Sequence, residues 1–538
     1  MIWLLKDFDL LSVLLRAAVL SLEALTLGGI AFLLFAALPT GIAEGSLLRL
    51  RKIAGWAALA LFVAETLSIS VSAAILIGGS GFSLSDVASA DFFLAGIAIL
   101  IGAGGLFLLL RSSSRAALFI GIPFALLILF SSVSMSHAAA RMDHRIQLLS
   151  FTALHHIGTA AWIGAMPFLL IALRKETSHS EAARYTRRFS TMAIVCVSLL
   201  LLSGIGMALF YVGSWQGIYG TTYGIMILAK VYLLLLILGM GAGNFFLVRQ
   251  IKIWKTDRAP VPLLTRLRRF SEAEIGLGFT AILTAASLTS QPPAIDLTQD
   301  RLTMHEIVER MRWVQPRLTS PSFQQLVPPS SVQVAVQKSI YSAGTANDAI
   351  DRAWSEYNHH WAGLIVLAAG LLALLASTKR FRWAQHWPLL FIGLAIFIVV
   401  RADPECWPLG PRPFWLTFSS PDVLQHRLYA LLITAFALFE WAVETGRLRS
   451  RVAAYVFPLM CAAGGALLLT HSHALGNIKE EMLAEMSHTP VALLGATAGW
   501  SRWLQLRLPQ ERASRIGSYI WPVCLILVGI VLLDYRES

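Results

Sequence analysis

Methionine and histidine recur in this chain at a fixed spacing. A thioether precedes an imidazole by two residues at three places, and a fourth place has two imidazoles at the same spacing. These segments are Met135-Ser136-His137, Met142-Asp143-His144, Met486-Ser487-His488 and His471-Ser472-His473. Thioether sulfur is a soft ligand and imidazole a borderline one, so this donor set favours copper over magnesium, calcium or manganese. The four segments together predict a copper-binding surface.

Two histidine doublets, His155-His156 and His359-His360, predict a polar pocket near the same surface. The first doublet lies about 12 Å into a predicted membrane span at the helical rise of 1.5 Å per residue. Polar groups at that depth usually face the interior of a helical bundle. A buried structural histidine is one alternative for either residue. Axial ligation of haem is another, because paired intramembrane imidazoles also suit that role.

Ionisable residues interrupt several apolar runs, and each requires a partner or a wet cavity because charge in a bilayer is costly. Those of interest are Arg16, Glu23, Glu65, Lys230, Glu274 and Glu440. Arg16 and Glu23 are two helical turns apart and could form a structural pair or part of an ion path. Lys230 and Glu274 could join their spans across the bundle.

The composition of the chain indicates which kind of secondary structure carries these residues. Of its 538 residues, 56% are hydrophobic and 14% are charged, with a mean hydropathy of +0.67. Soluble domains have about 25% charged residues, so a soluble globular enzyme is excluded. The net charge of +12 does not indicate nucleic-acid binding, because the basic residues are scattered between apolar runs. We predict an all-α polytopic membrane protein in the lipid bilayer.

Apolar runs of about 20 residues predict fourteen spans, numbered here in chain order. The runs are 10–39, 53–79, 91–110, 116–136, 147–173, 190–213, 222–248, 270–289, 359–378, 386–401, 423–443, 453–471, 489–505 and 517–534. We predict an eight-span domain over 1–290, a periplasmic linker or cap over 291–357, and a six-span domain over 358–538.

Basic residues predict the orientation of the spans. Alternate connections hold 27 of the 43 Lys and Arg, and such connections are cytoplasmic in membrane proteins. Both termini are therefore expected outside, in the periplasm if the membrane is the inner membrane of a Gram-negative bacterium. Eleven of the thirteen histidines then lie toward the outer side, which is where the Met-x-His segments are expected.

Spans 5 to 8 carry a series of short motifs. They are Leu154-His155 with Trp162-Ile163-Gly164, Tyr223-Gly224, Ala229-Lys230, Gly241-Ala242-Gly243-Asn244, and Glu274 with Pro292-Pro293-Ala294. As a set, these motifs resemble the CopD family of bacterial copper-resistance membrane proteins. The resemblance covers about residues 145–295 and, by extension, the eight-span domain. Ala165 and Phe245 depart from the family pattern. The resemblance carries family positions onto His155, Trp162, Lys230, Asn244 and Glu274.

This resemblance implies an inner-membrane protein that moves or handles copper, often beside a CopC-like periplasmic copper carrier. We expect a transporter rather than an enzyme, with copper as its substrate or bound ligand. The sequence contains no GxxxxGK[ST] motif, so ATP binding through that motif is not expected. Two other functions stay open at this point, namely a haem-binding electron-transfer subunit and an assembly factor that delivers copper without moving it across the membrane.

Overall fold

The computed structural model describes residues 8–173, 179–253, 261–322, 348–404, 406–417, 421–469, 478–508 and 512–536. These ranges are helices joined by short connections, as predicted for an all-α bundle. A helix lies at each of the fourteen predicted spans. Span 1 is Phe8–Ala31, continued by a π-helical turn at Phe32–Ala37 and a 3₁₀ turn at Leu38–Thr40. Spans 2 to 4 are Glu44–Ser80, Asp91–Arg111 and Ala116–Ser134.

Span 5 has three parts, Arg145–Thr159, a π-helical turn at Ala160–Gly164, and Met166–Ala172. Spans 6 to 8 are His179–Tyr211, Thr222–Ile253 and Val261–Leu288. Spans 9 to 14 are Asp348–Ser377, Leu389–Arg401, Pro421–Glu444, Val456–Leu468, Ile478–Arg507 and Arg512–Leu533. Short helices between them include Leu84–Ser89, His137–Ala140, Trp215–Tyr219, Met304–Arg310 and Phe414–Thr417.

Within the described residues, eleven helices are long and apolar enough to cross a membrane. Large apolar side chains on them face outward, and Trp56, Leu108, Leu202 and Leu431 are each more than 60% exposed. In water such surfaces would be unfavourable, whereas lipid accommodates them. The protein is therefore a multi-pass membrane protein.

Spans 8, 12 and 13 are not among these eleven helices. Val261–Leu288 and Ile478–Arg507 carry several charged residues, and the apolar helix over Ala453–Leu468 is short. The count of fourteen spans stays a prediction for these three.

Two residues expected in cytoplasmic connections are buried instead. Span 2 begins at Glu44, nine residues before its predicted start, so Arg51 lies in a helix. Its guanidinium donates to the carbonyls of Ser114 at 2.8 Å and Leu109 at 3.3 Å, at the end of span 3. Arg502 of span 13 is buried. It forms ion pairs with two residues of span 11, Glu440 at 2.8 Å and Glu444 at 2.6 Å. Both arginines therefore hold spans together.

The described residues divide into two compact units, at the peptide between Arg301 and Leu302. This division falls inside the predicted linker 291–357. In the first unit, span 2 packs between spans 1 and 3, span 5 against spans 1 and 6, and span 8 against spans 1 and 7. In the second unit, span 14 packs against spans 9 and 13 around Trp387, Phe457 and Trp521.

One end of the first unit is closed by the segment that follows span 8. Both carboxylate oxygens of Asp296 accept hydrogen bonds from the guanidinium of Arg141, which lies between spans 4 and 5. Arg301 donates to the Ser214 hydroxyl, between spans 6 and 7, at 2.7 Å. The connections after spans 4, 6 and 8 thus lie at one end of this unit, in agreement with the alternation on which the predicted orientation depends.

Candidate functional site

A cavity of about 240 Å³ opens in the first unit at the end where spans 4 and 8 finish. Met135 and His137 of the first predicted Met-x-His segment both line it, beside Arg16 of span 1 and Ser68 and Ser72 of span 2. A thioether, an imidazole and several hydroxyls therefore meet in one water-accessible space.

The local backbone explains why Met135 and His137 face the same cavity. Span 4 ends at Ser134, Met135 caps it, and Ser136 is extended before a new helix starts at His137. In a continuous helix, side chains two residues apart point to different faces. The break in the helix removes that restriction, so both side chains reach the cavity.

Burial favours the neutral form of the His137 imidazole. Burial lowers its pKa below the ordinary 6.5, against a smaller opposite contribution from the Thr289 backbone. Its Nε2 atom is buried and has no hydrogen-bond partner in the structure. A buried polar nitrogen without a partner is costly. A metal ion in the cavity would satisfy it.

The other Met-x-His segments do not converge in this way. Met142 is 89% exposed, and the exposed His144 ring packs against Phe210 with 4.9 Å between ring centroids; neither lines the cavity. Met486 and His488 lie inside the continuous helix Ile478–Arg507, where residues two apart do not face each other. His471 and His473 lie outside the described residues.

Deeper in the first unit, His156 of span 5 meets Glu23 of span 1. The His156 Nδ1 atom is 3.1 Å from Glu23 Oε1, and Ser132 of span 4 donates to Glu23 Oε2 at 2.7 Å. Glu23 and Ser132 are buried. A carboxylate accepts hydrogen bonds, so His156 donates from Nδ1 and keeps its lone pair on Nε2. Metal-binding histidines have this arrangement, because a carboxylate commonly orients the ring through its other nitrogen.

Two glycines bring span 1 close enough to span 5 for this contact. A side chain added at Gly164 would overlap the backbone of Ala24, and one added at Gly28 would overlap the backbone of Ala160 and Gly164. Small residues allow such close helix packing in membranes. The π-helical turn at Ala160–Gly164 begins four residues after His156, and such turns are frequent at functional sites.

His155 and His156 do not share one pocket. The His155 Nδ1 atom is 3.2 Å from the Ser203 hydroxyl of span 6, and its ring lies beside Gly204. Lys230 of span 7 and His156 are the charged or titratable groups that act on it. Adjacent residues on a helix point about 100° apart, which separates the two rings.

Glu65 lies in span 2, one helical turn before Ser68, which lines the cavity. It is buried, its Oε1 atom has no hydrogen-bond partner in the structure, and Arg16 and Glu23 act on it electrostatically. Glu65, Ser68 and Ser72 are three and four residues apart, so they share one helical face. Polar groups thus continue inward from the cavity wall.

Three residues carried over from the family resemblance meet at spans 5, 7 and 8. Asn244 donates to Glu274 Oε2 at 2.7 Å, and Trp162 also hydrogen-bonds Glu274. The expected pairing of Lys230 with Glu274 is wrong, because Lys230 lies fourteen residues before Asn244, about 21 Å along the helix. The Glu274 contacts join three spans.

In the second unit, the rings of His359 and His488 lie near each other. The His359 ring stacks on Tyr535 with centroids 3.8 Å apart, and the His488 ring lies 6.3 Å from His359. His360 points elsewhere, where it is buried and both ring nitrogens bond to backbone: Nδ1 accepts from Arg317 and Nε2 donates to the Tyr535 carbonyl. His360 is a structural histidine.

The described residues contain no group of three or more His, Cys, Asp or Glu arranged to hold a metal ion. The sequence also did not reveal Ser132 or Tyr535 as site residues. A serine in an apolar span and a tyrosine after the last span are both common, so neither carries a signal of its own.

Comparison with known proteins places these features in a family context. Residues 183–288, which form spans 6 to 8, match the CopD family, described as Copper resistance protein D. The Copper transport protein CutJ of Bacillus subtilis (strain 168) is 28% identical over 293 residues, 52% of this chain and 52% of that protein. Copper resistance protein D of Pseudomonas syringae pv. tomato is 27% identical over 183 residues, 33% of this chain and 58% of that protein.

The matched part of the chain spans about half the length of these curated relatives. No solved structure matches the chain significantly. The matching family and the two relatives are named for copper resistance or copper transport, and the apolar helices of this chain are those of a multi-pass membrane protein. The similarity to the CopD family therefore lies in residues 183–288, within the first unit.

Proposed function

We propose that the first unit takes up copper from the periplasmic side through the Met135–His137 cavity and passes it inward to His156. The cavity is the observation that carries this proposal, because it combines a thioether with a buried imidazole nitrogen that lacks a hydrogen-bond partner. These are donor types that copper accepts in proteins.

The proposed path is electrostatically suited to a cation. A charge at the bilayer centre costs about 2.5–3.5 kcal/mol even on the most lenient insertion scale. Glu65 and Glu23 are buried carboxyl groups that follow the cavity inward, and carboxylates attract a cation most strongly where water is excluded. Copper leaving Met135 and His137 would pass them before it reaches Nε2 of His156.

Glu23 acts in this scheme as a positioning residue. It accepts a hydrogen bond from Nδ1 of His156 and another from the Ser132 hydroxyl, so the Nε2 lone pair keeps one direction. A fixed ring binds a metal ion better than a rotating one, because less conformational freedom is lost on binding.

The cellular setting follows from the same reasoning. We infer an inner-membrane location with both termini in the periplasm, from the alternation of basic connections. A CopC-like periplasmic carrier would then meet the cavity from its open side. The chain acts as a transporter in this account, with copper as its substrate.

Copper flux into oriented proteoliposomes tests the proposal. Met135→Ala combined with His137→Asn is expected to reduce uptake at least tenfold. Met142→Ala combined with His144→Asn changes the same residue types outside the cavity and is expected to leave uptake unchanged. Equal uptake by both double variants would refute the cavity as the uptake site.

The same preparation separates the other two functions. Protein that binds copper but never accumulates it inside the vesicles would be a delivery factor without flux. A haem absorption band in purified protein that holds no copper would support the electron-transfer alternative. Copper accumulation by a preparation without that band would support transport.

A further inference from the structure

Three ionisable side chains meet in the second unit where spans 11 and 13 come together. Glu440 and Glu444 are one helical turn apart on span 11, and Arg502 lies on span 13. The Nη2 atom of Arg502 donates to Oε1 of Glu440 at 2.8 Å and to Oε1 of Glu444 at 2.6 Å. One guanidinium is thus shared between two carboxyl groups.

The three side chains differ in their access to water. The side chain of Glu440 is fully buried, that of Arg502 is 6% exposed, and that of Glu444 is 23% exposed. Burial of a charge is costly unless the charge is paired and hydrogen-bonded. The charge of Glu440 therefore needs the most compensation, whereas Glu444 can contact water at the end of span 11.

One oxygen of Glu440 lacks that compensation. Its Oε2 atom is buried and has no hydrogen-bond partner among the residues that the structure describes. A pair between arginine and a carboxylate is frequently bidentate, but Arg502 contacts Glu440 through Oε1 alone. Its Nη1 atom donates to Gln505 instead, at 2.9 Å.

The charges of this cluster do not balance when both carboxyl groups are ionised. Two carboxylates and one guanidinium leave one negative charge in excess, next to a carboxyl oxygen that is closed to water. A buried carboxyl group without sufficient compensation becomes neutral by binding a proton. A proton on Oε2 of Glu440 would remove the excess charge and leave the contact of Oε1 with Arg502 in place.

Within the described residues, the elements that pack against span 11 bring no second cation to Glu440. Arg502 is the cation that acts on it, and Glu444 adds a like charge. The packed elements are spans 10 and 12 and the two 3₁₀ turns that precede them. Span 12 brings the Cys461 thiol toward Glu440, and a thiol carries no positive charge. The other titratable groups on these elements are exposed or contact other side chains, namely Arg382, His386, Arg401 and Tyr455.

We propose that Glu440 binds a proton on Oε2, that Glu444 and Arg502 form the ionised pair, and that the proton exchanges with water on the side of Glu444. Carboxyl groups that bind protons in membrane spans are typical of proton relays. The second unit therefore handles protons. This function goes beyond the copper path proposed for the first unit and shares no residue with it.

Infrared difference spectroscopy of the purified full-length protein tests the protonation of Glu440. At neutral pH, the wild type is expected to show a carbonyl stretch of a protonated carboxylic acid that Glu440→Gln lacks. Glu309→Gln is the matched control and is expected to keep this band, because Glu309 is in the same unit and its side chain is 73% exposed. A band that persists in Glu440→Gln would overturn the proposal.

Glu444→Gln tests the charge balance without changing Glu440. In this variant one carboxylate suffices to balance Arg502, so Glu440 is expected to ionise and the same infrared band to disappear. Persistence of the band in Glu444→Gln would contradict the proposed division of roles between the two carboxyl groups.

Thermal stability distinguishes a bound proton from a purely structural ion pair. Glutamine has the shape of a protonated glutamate, so Glu440→Gln is expected to keep the wild-type thermal midpoint in detergent at neutral pH. Removal of one charge from a buried ion pair is strongly destabilising. A marked fall of the midpoint, or failure of Glu440→Gln to fold, would show that Glu440 is ionised and would overturn the proposal.

Transfer of the wild type into D₂O tests the exchange with water. The infrared band that Glu440→Gln lacks is expected to shift to lower frequency as deuterium replaces the proton on Oε2. A band that keeps its frequency in D₂O would contradict exchange and would exclude Glu440 from a proton relay.

Discussion

At the scale of single residues, the hydrogen bond at the second ring nitrogen distinguishes the histidines. His156 donates from Nδ1 to Glu23 and so keeps its lone pair on Nε2. His360 has both nitrogens occupied. His156 is therefore suited to metal binding and His360 to structural support.

Glu23 gives a residue-scale prediction. Glu23→Gln keeps an acceptor near His156 but removes the charge, and loss of such a supporting group typically costs 10- to 100-fold in metal affinity. We expect copper affinity of the inner site to fall by about that factor, measured by competition with a colorimetric Cu(I) chelator. Ser132→Ala is expected to have a smaller effect in the same direction.

Ser131→Ala serves as the control for these variants, since Ser131 is the buried neighbour of Ser132 but does not bond Glu23. Unchanged affinity in Glu23→Gln would mean that Glu23 does not position a ligand. A loss as large in Ser131→Ala would point to general disruption of span 4.

At the scale of helices, the contact between spans 1 and 5 determines whether Glu23 and His156 can meet. Gly28 and Gly164 leave no room for a side chain at this contact. The sequence revealed both helices through their apolar runs, but a glycine in an apolar span does not indicate which helix approaches it. This geometry could be obtained only from the folded structure.

Gly164→Ala tests this helix contact. Overpacking of a tight contact costs about 1–3 kcal/mol, so the thermal midpoint in detergent is expected to fall, and copper uptake to fall with it as Glu23 moves away from His156. Gly239→Ala in span 7 is the matched control, because a side chain there meets no atom within 4 Å. Alanine also favours helix over glycine by about 1 kcal/mol, so the control is expected to be at least as stable as wild type. Identical behaviour of the two variants would contradict the proposed importance of the contact.

At the scale of the whole molecule, the chain has two compact units, and the proposed copper path lies within the first. That unit holds the Met135–His137 cavity and the Glu23–His156 pair. The sequence predicted the all-α class and the positions of the fourteen helices, and it predicted a linker over 291–357 between two membrane domains, because hydrophobic runs and proline-rich polar segments are local signals. It predicted the donor types for the same reason.

Spatial grouping was less predictable than residue type. Three Met-x-His segments looked alike in the sequence, yet only the one at a helix break brings its two side chains into one cavity. The doublets suggested shared pockets, whereas the helical turn of about 100° per residue directs adjacent rings apart. Partners such as Ser132 and Tyr535 come from distant parts of the chain and depend on tertiary packing.

The most direct test of the proposed path follows copper from the cavity to His156. Copper is supplied briefly to right-side-out vesicles that contain the full chain, and a membrane-impermeant Cu(I) chelator is then added outside. In wild type, bound copper is expected to become inaccessible to the chelator, while in His156→Asn it is expected to bind but remain accessible. Protection of copper in His156→Asn at the wild-type rate would contradict the transfer from the cavity to His156.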